Sequence, residues 1–563
     1  MADADIKARW TEDAVERDSA LRERAVICAA LTDPSILPPE AVDTSQEHRE
    51  LNTHRRLPEA FTSVGARGMT ILDGLMSSAL FPFTQPFFEL RPTAEIGVQL
   101  READAQNGTA TYEDYLARLA NIGAVAMAVL ESAGTGDRTN RRPMGFRSSK
   151  SMSIRQILAT GDSLEKMGDD YRVRTFRRDQ YVTRRDSAGD VLYHITAERI
   201  DPLSLSQDQL RAVDLDVRDM QELREKHPAK RLETLYTEVR WNPESKTWVM
   251  RQQVRGNLIP INGAELEAEE QVSPYFSTVY KLSPNDDYGR GFVETNVLGD
   301  LRSLNEIEKH RLDLLFLAAK QHPILDHGEV TTEDELMQPT GTPVRTRVEG
   351  GEAQGLGVFS FGSIGDYQML TQGAESRKLD LARTMLIESA SAPNKDRVTA
   401  TQIQRIAQEL EGALGGVYTQ IADDQHLPLV QRLLYQLERD DLIEPLTRRG
   451  GGRTISLAEV KTLTGLVALQ RESQRVKLLD FAQFVSLFGE RGIASIDMDV
   501  AFSAYQRLAA IDMPGLVKSP EQVAQEEQQR LASVAAERGI DAAGTVVEQA
   551  AQQAPQQTPQ QTQ

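Results

Sequence analysis

VLGDLRSLNEIEKHRLDLLFLAAK (residues 297–320) and DYQMLTQGAESRKLDLARTMLIES (residues 366–389) are two charged stretches with apolar residues at helical spacing. In the first, Leu301, Leu304, Ile307, Leu312 and Leu315 recur near a 3.6-residue period; in the second, Leu379, Ala382 and Leu386 are read onto one face. The first pattern stops at Gln321-His322-Pro323, where proline removes a backbone donor. Residues 321–365 between them are Gly- and Thr-rich and broken by Pro339, Gly341, Pro343, Gly350, Gly351, Gly355 and Gly357. Two helices therefore bracket a small, loop-rich insert.

Upstream, Val15, Leu21, Ala25 and Ile27 among many charges predict an amphipathic helix over the first ~30 residues, ended by Asp33-Pro34. A second helix is expected over residues 60–80, from Phe61, Val64, Met69, Leu72, Leu75, Met76 and Leu80. The proline-flanked Phe87-Phe88 pair reads as core, and a third, alanine-rich helix covers residues 112–130. From about Arg147 to Gly256 the period moves towards two. Turn-like tetrapeptides at residues 187–190 and 242–245 predict antiparallel hairpins. The fold class is α+β.

Downstream, Thr399 and Gln402 fit a capping box that opens a helix through Ile403, Ile406, Leu410, Leu414, Val417 and Ile421. Gly415-Gly416 is expected to weaken or kink it, and Leu427-Pro428 to separate it from a helix over residues 429–442. Arg448-Arg449-Gly450-Gly451-Gly452-Arg453 reads as a flexible basic linker, followed by helices over 457–487 and 500–511. From about Val546 the Gln-, Ala-, Pro- and Thr-rich tail is expected to be disordered.

Composition excludes several function classes. Among 563 residues, 84 acidic against 64 basic give a net charge of −20, the wrong sign for a module that gains affinity from phosphates. It does not argue against a passage through which DNA slides without sticking. No apolar run approaches the ~20 residues that span a bilayer, and the start MADADIKARW lacks a signal core. One cysteine, Cys28, makes neither an internal disulfide nor a zinc site. The chain reads as folded under reducing conditions, with no membrane partner.

Motifs that carry chemistry are missing: no GxxxxGK[ST], HExxH, CxxC or GxSxG occurs. Gly355, Gly357 and Gly362 have the wrong spacing for a dinucleotide site, His194 reads as structural, and Asp169-Asp170 and Asp423-Asp424 as solvated surface. Neither a metal site nor a cofactor is expected. Two basic clusters interrupt the acidic background: Arg138, Arg141, Arg142, Arg147, Lys150 and Arg155, then Arg172, Arg174, Arg177, Arg178, Arg184 and Arg185. Either they pair with acidic residues, or they meet nucleic acid, which arginine suits by bidentate phosphate binding.

Three ordered groups of segments resemble the portal (head-to-tail connector) proteins of short-tailed phages. They are FTSVGARGM (61–69) with SALFP (78–82) and QPFFEL (85–90); DYGRGF (287–292) with LGDLRSLN (298–305); and RVTAT (397–401) with ELEGALGGVY (409–418) and LPLV (427–430). The N-terminal stretch and everything beyond Leu442 carry no such match. The resemblance implies a portal fold with no enzymatic activity: an α/β wing (1–296), two stem helices (297–320 and 366–389) and a clip (321–365). It further implies a tunnel loop (390–397), a long wing helix with its successor (398–447) and a helical crown (448–545) before the tail (546–563).

The same resemblance implies a dodecameric virion ring at the portal vertex, assembled in the host cytoplasm, that channels the genome in and out. The implied partners are the terminase large subunit, tail adaptor or nozzle proteins, the major capsid protein, internal core or scaffolding proteins, and double-stranded DNA contacted without sequence preference. Asn394, Lys395 and Arg397 would then lie on the tunnel loop facing DNA, and Arg345 and Arg347 on the clip facing an acidic partner. Alternatives are another ring-forming capsid or tail-adaptor protein, or a nucleic-acid enzyme, which would need a clustered acidic metal site.

Overall fold

The structure, a computed structural model, describes most of residues 5–462; the longer intervals outside the description are 38–58, 134–144, 214–232, 326–346 and 388–408, and residues 463–563 also lie outside it. All described residues belong to the first of two compact units, Met1–Val467. The expected crown beyond 462 and the tail therefore fall outside them.

Helix α1 (Ile6–Leu31) starts where the Asp5 carboxylate accepts the Lys7 N–H at 3.1 Å. Its first half lays Ile6, Trp10 and Ala14 on a sheet and its second buries Ala25, Cys28 and Leu31 in the main core. Val15, expected on the apolar face, is 67% exposed. Asp13 and Arg17 take buried positions instead, because they have partners in the sheet.

Helix α2 (Val64–Leu80) buries Met69, Leu72, Met76 and Leu80, as its spacing predicts. Phe87 and Phe88, at the start of strand β1 (Phe88–Pro92), are core residues. Helix α3 (Ala94–Asn107), which the sequence reading passed over, precedes α4 (Thr111–Ser132).

Residues 146–160, expected within the β-rich region, are helical. They form helix α5 (Phe146–Thr160). Its buried face contains Ser149, Lys150, Ser153 and Gln156 beside Ile154 and Ile157, so polar residues conceal the apolar period. Gly161, at φ +96°, stops it and turns the chain into β2 (Asp162–Met167). Strand β2 pairs antiparallel with β3 (Val173–Phe176) and with β10 (Tyr275–Val279).

The predicted hairpins are present. β4 (Tyr181–Arg185), β5 (Val191–Ile200), β6 (Glu233–Asn242), β7 (Thr247–Val254) and β8 (Asn257–Ile259) run antiparallel in chain order, and β9 (Glu267–Glu270) pairs with β7. A short helix α6 (Gln207–Ala212) lies between β5 and β6.

A π-helical turn (Val293–Val297) leads into α7 (Leu298–Ala319). Strands β11 (His322–Leu325) and β14 (Leu356–Phe359) pair with each other, as do β12 (Arg347–Glu349) and β13 (Glu352–Gln354), before α8 (Ile364–Thr384). The interval expected to be loop-rich therefore contains two small β-ladders. On α8 the buried line is Ala374, Leu381 and Met385, whereas Leu379, expected on that face, is 53% exposed.

Leu427-Pro428 does not break the helix. Helix α9 runs Val417–Arg439 with Pro428 inside it. An interior proline costs about 3 kcal/mol, but Leu429, Val430, Leu433 and Leu437 are all fully buried, each contributing about 2 kcal/mol. Burial wins. The real interruption is Gly416, whose φ of +84° caps α9 at its start.

Arg448 to Arg453 is not a linker: β15 (Thr447–Gly450) and β16 (Arg453–Ser456) form a hairpin. Ala458 to Thr462, expected to begin a helix, form β17, which pairs antiparallel with β1. Alternation along Ala458–Thr462 satisfies β1's edge, a partnership 370 positions away that local pattern does not reveal (Phe88 with Thr462, Pro92 with Ala458).

Candidate channel, insert and basic clusters

The proposed channel residues Asn394, Lys395 and Arg397 lie outside the described residues, as does Arg345. Arg347 opens β12, its backbone paired with Gln354. The flanks of that segment are described. It leaves after the turn Met385-Leu386-Ile387, where Leu386 has φ +55°. The chain returns at Glu409 and Leu410, the latter fully buried. Both flanks are thus anchored in the main core.

The two helices bracketing the insert lie side by side. Arg377 on α8 pairs with Asp300 on α7, and Lys378 Nζ reaches Glu308 at 2.6 Å, a carboxylate that Arg311 also holds at 2.7 Å. The root of α7 is locked to the segment before α2: the Asn305 amide donates to the Glu59 carbonyl at 3.1 Å and accepts the Phe61 N–H at 2.7 Å. Gly65 sits where a Cβ would lie 2.2 Å from the Leu31 carbonyl oxygen and 3.2 Å from Leu301. This close approach accounts for the glycine in the FTSVGARGM segment.

The DYGRGF segment has an equally concrete role. Asp287 receives Arg184 Nη1 at 2.8 Å and the Arg185 N–H at 2.7 Å. Tyr288 is buried; its hydroxyl accepts the Thr183 N–H at 3.0 Å, and the Arg178 guanidinium lies 4.2 Å over its ring. Gly289 and Gly291 pass under the α5–β2 corner, where a Cβ would meet the Gly161 or Leu158 carbonyl oxygen at 2.6 Å.

The basic clusters resolve towards pairing within the chain. Arg147 binds the Phe81 and Pro82 carbonyls and Glu131, and Arg155 bridges Asp33 at 3.0 Å and Asp73 at 2.8 Å. Arg177 pairs with Asp179 and Arg178 with Asp162, while Arg184 holds Asp13, Glu16 and Asp287 together. Hydrogen bonds donated to Glu16, then to Asp287, hold the Arg184 guanidinium above its ordinary range. Arg174 is the exposed position on β3, and Arg138, Arg141 and Arg142 lie outside the described residues. The arginines from 172 to 185 do not share one strand face, because Arg177 and Arg178 sit at and in a 3₁₀ turn.

Lys150 and Glu165 form a fully buried ion pair at 2.7 Å, with Phe81 and Phe276 rings within 5.2 Å of the ammonium. Burial pushes the lysine down and the glutamate up, and their mutual attraction opposes both. His426 packs 4.9 Å from the Phe81 and Phe87 rings, and burial, then the Lys150 charge, pushes its imidazole down to about 3. His194 bonds Thr183 Oγ1 at 2.9 Å and burial takes it to about 3 as well. Asp423 and Asp424 are half-buried rather than solvated, and Asp423 accepts the Thr462 hydroxyl at 2.8 Å. Sequence reasoning missed Asp287 and the Lys150–Glu165 pair; only the DYGRGF segment carried a signal for the first.

Among the described residues no group of three or more His, Cys, Asp or Glu is arranged to hold a metal ion. No described helix is long and apolar enough to cross a membrane.

Comparison with known proteins extends over nearly the whole chain. The portal protein of Escherichia phage T7 is 24% identical over 554 residues, covering 97% of this chain and 94% of its own length. That of Enterobacteria phage T3 is 25% identical over 543 residues, covering 95% and 91%, and that of Pseudomonas phage phiKMV 25% over 542 residues, covering 91% and 92%. A chain from the neck of an empty gene transfer agent particle aligns over 74% of this chain and 86% of its own, with 11% identity and a TM-score of 0.34. The family model of the bacteriophage head to tail connecting protein matches residues 5–516, and the chain belongs to that family.

Proposed function

We propose that this chain is the structural subunit of a portal ring at one capsid vertex, forming the passage for the genome and the platform for tail attachment. The observation that carries the reading is the paired α7 and α8 with a β insert between them, within a chain matched to the connector family over residues 5–516. The ring is a dodecamer of the virion, assembled in the host cytoplasm. The wing is the α/β body up to residue 296, the stem is the helix pair, the clip is the insert, and the crown follows the wing helices.

Its partners are the terminase large subunit during packaging, tail adaptor or nozzle proteins afterwards, and capsid and internal core or scaffolding proteins around the vertex. The protein does no covalent chemistry. Pairing of the described basic residues with the chain's own carboxylates supports a body that does not grip DNA. Contact falls to the segment between Ile387 and Glu409, where Lys395 and Arg397, with Asn394, form rings of phosphate contacts around the duplex. Arg345 and Arg347 at the clip meet an acidic surface of the motor or tail.

Axial electron micrographs of the purified protein test the ring, which is expected to show about twelve subunits around a central hole. Replacing Lys395 and Arg397 with alanine is expected to leave rings intact and to reduce packaged or retained DNA. Unchanged packaging, retention and ejection would remove these two residues from the channel role.

A further inference from the structure

The seam where α5 and α9 meet the sheet of β2, β3 and β10 is polar at its centre. Ser163 and Glu165 alternate onto one side of β2. Thr278 on β10 lies opposite Ser163 in the ladder and so points to the same side. From α5 come Ser153 and Gln156, three positions apart on one helix face, and from α9 comes Gln425. All six residues are completely buried.

Part of this patch is satisfied within the chain. Ser153 Oγ lies 2.8 Å from Ser163 Oγ and accepts the Gln425 side-chain N–H at 2.9 Å. Glu165 receives the Lys150 ammonium at 2.7 Å. Beside them, four atoms have no hydrogen-bond partner among the described residues: Nε2 and Oε1 of Gln156, Oγ1 of Thr278 and Oε1 of Gln425. Buried polar groups in folded proteins are paired, either with protein or with ordered water, and exceptions are few. An amide buried with neither of its atoms bonded is one of the costlier exceptions.

The four atoms define the chemistry that would pair with them. Gln156 Nε2 needs an acceptor, the two amide oxygens need donors, and the Thr278 hydroxyl takes either role. A single kind of guest must therefore donate and accept. It must also be uncharged, because the Glu165 carboxylate is already balanced by Lys150 and a further ion would be buried without a counter-charge. Buried sites lined by such groups hold water, whereas empty ones are apolar. We propose that one or more ordered water molecules are bound between α5, β10 and α9, completing Gln156, Thr278 and Gln425. The site lies beside Pro428, which has no N–H to give the Asp424 carbonyl. Water, a partner that can reorient and exchange, thus holds α9 close to where its own backbone ladder is interrupted.

The test uses the full chain. A density map of the purified protein, at a resolution that shows ordered solvent, is expected to contain a peak about 2.7–3.2 Å from at least two of Gln156, Thr278 and Gln425. A map of that quality with no such peak, with direct protein partners for the Gln156 amide, or with an ion in the place of water would overturn the proposal.

Thr278→Val reads the same site in solution, since it keeps the branched shape and removes only the hydroxyl. Losing a hydroxyl that is bonded to water is costly, so the urea midpoint is expected to fall; losing one that has no partner is neutral or favourable. Gln156→Leu is expected to act in the same direction. Midpoints unchanged or raised in both variants would overturn the water site. The map is read on the unmodified protein, so it decides the matter even where a variant fails to fold.

Discussion

Arg184 Nη1 lies 2.8 Å from Asp287 Oδ2, and this contact joins three parts of the chain that are remote in sequence. Arg184 is on β4, reaches Asp13 and Glu16 on α1, and through Asp287 holds the loop that leads into the π-helical turn and α7. The position of α7 relative to the sheet that contains β4 is therefore set partly by one carboxylate.

Asp287→Asn keeps the shape of that junction and removes its charge. Hydrogen bonds to charged groups contribute about 1.5–3 kcal/mol, so urea unfolding is expected to show a loss of that size. A midpoint within experimental error of the parent would show that the node is not structural.

The buried Lys150–Glu165 pair predicts a non-additive cycle. Lys150→Met alone leaves a buried carboxylate and is expected to cost about 3–5 kcal/mol; adding Glu165→Leu is expected to recover most of it. Denaturation of the two singles and the double measures the coupling. Additive losses would refute a direct interaction.

Glycines separate two physical situations. Gly161 has φ +96° and a Cβ there would lie 2.3 Å from the Gly289 carbonyl oxygen, so Gly161→Ala is expected to cost more than about 2 kcal/mol. Gly74, in exposed helix with nothing within 4 Å of its would-be Cβ, is expected to gain about 1 kcal/mol as alanine. Thermal melts of both variants read the two signs.

His194 and His426 stay neutral in the folded protein down to about pH 3, whereas the ordinary value of 6.5 governs the unfolded chain. The unfolded state therefore takes up protons first as pH falls. Stability is complete above about pH 6.5 and is lost between there and pH 3, reaching roughly 2–3 kcal/mol per histidine at pH 4.5. Glu165 and Asp424, raised by burial, act in the opposite sense in parent and variant alike. Urea midpoints of the parent against His194→Gln with His426→Leu, from pH 7 to 4.5, are expected to diverge in slope. Parallel profiles would exclude these histidines as the source.

Local pattern was enough where one face of an element is apolar and the other solvated. It located α2, α4, the β4–β5 and β6–β7 hairpins and the α7–insert–α8 arrangement. It failed where burial selects polar residues or overrides propensity. Helix α5 was concealed by Lys150, Ser153 and Gln156 on its buried face, the first two of which find their partners, Glu165 and Ser163, on β2. Pro428 suggested a break that the burial of Leu429, Leu433 and Leu437 does not allow. The functional reading was legible through ordered segments whose glycines and Asp287 have local steric and electrostatic reasons to be there.

By itself, then, the sequence determined the class, the helix–insert–helix arrangement and the acidic balance, because periodicity and charge are properties of neighbouring residues and of sums. Only the tertiary structure decided that Arg155 and Arg184 of the basic clusters are bound by the chain's own carboxylates and that β1 pairs with β17. It alone brought Gln156, Thr278 and Gln425 to one buried polar seam. Each depends on which remote groups share one volume, and a linear pattern holds no record of that.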